Sequence, residues 1–145
     1  MWGTSEAEVK IGGARGELVN VSGASKVALS GFDPVGFFEN STPVNGLPQI
    51  RAEHRGATYL FASEANQDAF LAEPDRYAPQ YGGFCAYGVS INVLLPVDIS
   101  TAQVRDGKLY LNVNPDIRAR FDADYEGSVS RANANWAGLF ERHAE

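Results

Sequence analysis

Two spacings of apolar residues run along the chain, one of alternation and one of three-and-four steps, and they predict strands and helices in turn. Weak alternation around Val19, Val21, Val27 and Leu29 predicts one or two short strands within Glu17 to Ser30, interrupted by the Ser-Gly-Ala-Ser stretch. In GFDPVGFF, Asp33 can cap a helical turn that Pro34 opens, with Val35, Phe37 and Phe38 inward. Pro, Asn-Gly and Pro then mark Thr42 to Pro48 as loop. Gln49 to His54 and Ala57 to Phe61 flank Arg55-Gly56, which predicts a β-hairpin. Ser63 stands as the cap of a helix over about Glu64 to Glu73, ended by Pro74.

Past this helix, two tyrosines and Pro79 lead to Gly82-Gly83 and to FCAYGVS, where Cys85, Ala86 and Val89 suit one face of a short helix. INVLLPVDI is apolar, too short to cross a membrane and broken by Pro96, and it reads as a buried loop or edge strand. Asp106-Gly107 joins Gln103 to Arg105 with Lys108 to Asn112 and carries the strongest hairpin signal. Asn114 caps the next segment and Pro115 opens it. There Ile117, Phe121, Tyr125, Val129, Ala132, Trp136, Leu139 and Phe140 form an apolar stripe, with Gly127 expected to divide it into two helices. Such a stripe is the usual sign of a core-facing helix rather than of a cofactor site. The fold class is therefore α+β: two β-hairpins and short helices, followed by a C-terminal helical segment. Residues 1–16 lack periodicity and read as a flexible lead-in, and 17–145 as one domain.

Composition narrows the partners. The chain has 145 residues, 44% hydrophobic and 21% charged, as a folded soluble domain does. Twelve Lys and Arg against eighteen Asp and Glu give a net charge of −6, which disfavours nucleic acid and anionic lipid. No apolar run is long enough for membrane insertion. The N-terminus lacks the basic start and apolar core of an export signal, so the expectation is a cytoplasmic protein, or a periplasmic one whose signal has been trimmed. A single cysteine forms no internal disulfide and leaves the compartment open.

GFDPVGFF, the run from His54 through Tyr59, Phe61 and Ser63 to AEPDRYAPQYGGFCAYGVS, and DGKLYLN together resemble the YHS domain family, and more narrowly small stand-alone bacterial proteins built around that domain. The resemblance covers about Ala28 to Trp136 and carries the name-giving Tyr, His and Ser onto Tyr59, His54 and Ser63. It implies an association with metal, copper in particular. Metal-type members place cysteines where this chain has Gly36, Ala62 and Asn66, and none of these supplies a thiolate.

No catalytic set stands out: there is no phosphate loop, no serine elbow and no carboxylate pair with reason to titrate apart. The leading expectation is a non-enzymatic binding or accessory protein with a small aromatic pocket formed by Cys85, Tyr81, His54, Tyr59, Ser63 and Phe84, its partner a small molecule or another protein. One alternative is a site for copper or another soft metal on Cys85 with His54. A second is thiol redox chemistry at Cys85, which requires an exposed sulfur with a lowered pKa. The competing structural readings make Cys85 a buried small hydrophobe, His54 a turn anchor and Asp33 a helix cap.

Overall fold

A computed structural model describes residues 8–12, 17–23, 25–40 and 42–143. It shows an α+β fold, and no helix among the described residues is long and apolar enough to cross a membrane. One mixed sheet runs in the order β1 (Glu8–Gly12), β2 (Glu17–Ser22), β3 (Val27–Ala28), β5 (Ala57–Phe61), β4 (Leu47–His54). All its pairings are antiparallel except β3 with β5, where Val27 faces Thr58. The segment expected as a lead-in thus contributes β1, paired residue for residue with β2.

Both expected hairpins form, and their turns explain why. Arg55 and Gly56 have φ of 52° and 83°, Asp106 and Gly107 of 55° and 72°. Two successive positive φ angles twist a two-residue turn in the sense that the flanking strands require. The second hairpin pairs β6 (Asp98–Arg105) with β7 (Lys108–Asn112). The first is reached through Gly46, where a Cβ would lie 2.5 Å from the Leu60 backbone, so only glycine lets the chain pass there.

Helices begin where capping side chains stand. Asn66 N–H donates to Ser63 Oγ at the start of α2 (Glu64–Ala72), 3.1 Å. Ile117 N–H donates to Asn114 Oδ1 at the start of α5 (Pro115–Ala123), 2.8 Å. Asp33 accepts from the backbone N–H groups of Val35 and Gly36, and the short α1 (Gly36–Glu39) starts two residues later than Pro34. An additional turn of helix, α3 (Pro74–Tyr77), follows α2 directly.

Two expectations need correction. The C-terminal stripe is divided at Asp124, not at Gly127: Gly127 lies inside α6 (Tyr125–His143). Asp124 has non-helical φ and ψ of −137° and 61°, and its Oδ1 accepts from Gly127 N–H, so the carboxylate caps the second helix. The stretch 91–99 is only partly covered, with Ile91 53% and Val93 40% exposed before β6 begins at Asp98.

The core lies in two clusters separated by β7. Period-two alternation sends Leu109 and Leu111 into the first cluster, among Val19, Tyr59, Phe61 and Phe70, and Tyr110 into the second, among Tyr81, Phe121 and Leu139. The apolar stripe of α5 and α6 packs against the second, as core rather than cofactor site.

Candidate functional site

Where the two clusters approach each other at the open end of the first hairpin's turn, a cleft of about 460 Å³ remains. One wall is the hairpin: His54 closes β4, Arg55 is in the turn, and Tyr59 projects from β5. The floor is the stretch from Ala78 to Gly82, where Tyr81 and Gly82 both have positive φ, 55° and 61°. This turn is tied to β2 by Asn20 Nδ2, which donates to the Gly83 carbonyl at 3.1 Å. The far wall is α6, which contributes Trp136 and Phe140.

Hydrogen bonds orient His54, Arg55, Asp75 and Tyr81 in the cleft. His54 Nε2 lies 3.1 Å from Asp75 Oδ1, and Arg55 Nε donates to the same oxygen at 3.4 Å. Burial raises the Asp75 pKa, but the hydrogen bonds from Arg55 and then His54 outweigh it, so the carboxyl is held below its ordinary value. The His54 ring meets the Phe70 ring edge-on at 5.7 Å, and Tyr59 packs on Phe70 at 4.9 Å. Tyr81 O–H donates to Asn133 Oδ1 at 2.8 Å, and its ring lies 6.0 Å from that of Trp136. Burial pushes the Tyr59 and Tyr81 hydroxyls well above the ordinary tyrosine value, so both remain protonated at neutral pH.

Of the six residues expected to share a pocket, three do: His54, Tyr59 and Tyr81. Cys85, Ser63 and Phe84 are elsewhere. Phe84 is buried in the second cluster and Ser63 caps α2. Cys85 is wholly buried and serves as the cap of α4 (Ala86–Ser90), its Sγ accepting from Gly88 N–H and Val113 N–H, each at 3.3 Å. The thiol itself donates to Asn112 Oδ1 at 3.5 Å. Burial pushes the thiol pKa up, against the opposing pull of the N–H donors. A protonated, enclosed sulfur lacks both the charge and the access that thiol redox chemistry needs.

Neither does the donor set fit copper or another soft metal. Cys85 is engaged with Gly88, Val113 and Asn112, while His54 is engaged with Asp75. Among the described residues no three His, Cys, Asp or Glu side chains gather as a metal-holding group. A closed soft-metal site needs several thiolate or imidazole donors together.

Arg55, Asp75, Trp136 and Phe140 also line the cleft, although no sequence signal singles them out. Arg55 reads as a turn residue, Asp75 as one of several scattered acids and the two aromatics as helix core. Only α3, unforeseen in the sequence, carries Asp75 back to the hairpin.

Burial of the thiol and of Tyr59 makes alkaline pH destabilising. Both groups have raised folded values, so their contribution is complete below the unfolded pKa values, near 9 and 10, and is lost as pH rises through them. Denaturant melts should show stability lower at pH 10.5 than at pH 8, the raised Tyr81 and Tyr125 hydroxyls adding to the same fall. Equal stability at the two pH values would mean that these groups titrate freely in the native state.

Residues 37–81 match the YHS domain, and the chain carries that domain over this segment. The match contains the hairpin, α2, α3 and the floor of the cleft as far as Tyr81, and it ends before Cys85 and before the α6 wall. Comparison with curated proteins and with solved structures found no match.

Proposed function

We propose that this is a non-catalytic binding protein whose site is the cleft between the YHS segment and α6, and whose ligand is a small flat molecule with a polar edge. The observation that supports this most is the lining. Tyr59, Tyr81, Trp136 and Phe140 supply aromatic surface, and the oriented His54, Arg55 and Asp75 group gathers at one end. Ligand sites commonly combine apolar walls with a few placed polar groups in a cavity of this size. None of the described lining residues is Ser, Thr or Cys, so the His54 and Asp75 pair has no nucleophile beside it to activate.

A fragment screen by ligand-observed NMR, run on the intact chain, tests the reading. Planar hydroxyaromatic and heteroaromatic fragments should bind and be recovered unchanged. Trp136→Ala should weaken them roughly tenfold, the loss of one aromatic wall. Fragments consumed during the experiment would overturn the non-catalytic reading, and binding unaffected by Trp136→Ala would place the ligand outside the cleft.

A further inference from the structure

Asp33 is wholly buried, and its carboxylate is surrounded by N–H groups. Oδ1 accepts from Val35 N–H at 2.8 Å and from Gly36 N–H at 3.3 Å. Oδ2 accepts from Ala62 N–H at 2.8 Å and from Asn66 Nδ2 at 2.7 Å. Three of these four donors belong to Gly36, Ala62 and Asn66, the positions that the family resemblance assigns to cysteines in metal-type members. The fold therefore brings those positions together in space, but around a carboxylate instead of a metal. A side chain at Gly36 would be crowded as well, since a Cβ there would lie 3.1 Å from Val44 Cβ.

We infer that Gly36, Ala62 and Asn66 do not fit a soft-metal centre and instead form an anion cradle, in which Asp33 ties α1 to the junction of β5 and α2 by hydrogen bonds. Charge-assisted hydrogen bonds are the stronger kind, and two of them here join distant parts of the chain, 29 residues apart for Ala62 and 33 for Asn66. The cradle recognises a carboxylate as such, so a free one of the right size should enter once the side chain is removed. Formate is that size, since it replaces the carboxylate group that Asp33→Ala deletes.

Thermal denaturation of wild type, Asp33→Ala and an unrelated core variant, Leu139→Ala, in sodium formate and in sodium chloride of equal ionic strength, tests this. Asp33→Ala should melt roughly 8–15 °C lower than wild type, because buried donors are left without acceptors. Formate should raise its midpoint in a saturable, concentration-dependent manner that neither wild type nor Leu139→Ala shares. A melting point within a few degrees of wild type, or a formate effect no larger than on Leu139→Ala, overturns the inference. Should Asp33→Ala fail to fold in either salt, Asp33→Asn serves, with the Gly36 and Ala62 amide resonances as the readout. Upfield movement of both relative to wild type supports the cradle, and unchanged resonances oppose it. Cadmium added to the wild type should leave the Gly36, Ala62 and Asn66 resonances in place; movement of all three would restore a metal centre and sink the proposal.

Discussion

Replacing Phe70 with alanine is expected to lower stability by about 3–5 kcal/mol, the range for emptying a fully buried phenylalanine site. Phe70 is completely enclosed, and its ring is shared by three others: His54 edge-on at 5.7 Å, Tyr59 at 4.9 Å and Phe61 at 5.2 Å. The cavity would be lined by residues of a sheet and a helix that cannot both close onto it, so little of the loss is recovered by collapse. A domain of this size has about 5–15 kcal/mol in all, so the variant should be marginal in urea melts. Because Phe70 also supports the rings of His54 and Tyr59, ligand binding in the cleft should weaken at temperatures where the variant is still folded. A loss under 1 kcal/mol would mean that this cluster is far more deformable than its packing indicates.

The second large effect concerns Cys85. Cys85→Ala should cost about 2–4 kcal/mol, because the N–H groups of Gly88 and Val113 lose their acceptor in a site that water does not reach. Cys85→Ser should cost less, since its oxygen accepts the same bonds at the expense of a shorter reach. Neither change should alter binding in the cleft, whose described lining does not include the sulfur. Equilibrium denaturation of the two variants, followed by the fragment titration, separates these roles. A cysteine needed for ligand binding would show both variants fully stable and unable to bind, which would reverse the assignment.

The resemblance to the YHS domain was legible because its marks are local and rest on turn and cap chemistry. Asp33 accepts from Val35 and Gly36 N–H in a turn and α1 begins at Gly36 rather than at Pro34, whereas the Arg55-Gly56 turn and Ser63 before α2 each act within a few residues and are found doing so. The same holds for Asp106-Gly107 and for Asn114 with Pro115. The C-terminal stripe divides at Asp124 rather than at Gly127, although glycine is the weaker helix former. A carboxylate that can cap, three residues earlier, offers a helix start that Gly127 does not.

The candidate site was only half legible. His54, Tyr59 and Tyr81 were in view, but Cys85 was placed with them on the strength of its uniqueness and its aromatic neighbours in sequence. Both signals are compatible with a buried cap, and only the packing of α4 against β7 decides between a cap and a ligand. Asp33 shows the same limit from the other side. Its local role as a cap was foreseen, while its bonds to Ala62 and Asn66 depend on distant parts of the chain meeting.

By itself, the sequence determined the two hairpins, their turns and the starts of α2 and α5, since these follow from backbone preferences and hydrogen bonds that span a few residues. It also determined which positions are apolar enough to be buried. Which of two cores each residue enters, which side chains remain at the cleft between them, and that Asp33 meets Ala62 and Asn66 were decided by the tertiary structure alone. Burial and long-range hydrogen bonding depend on what lies opposite, and no spacing along the chain encodes that partner.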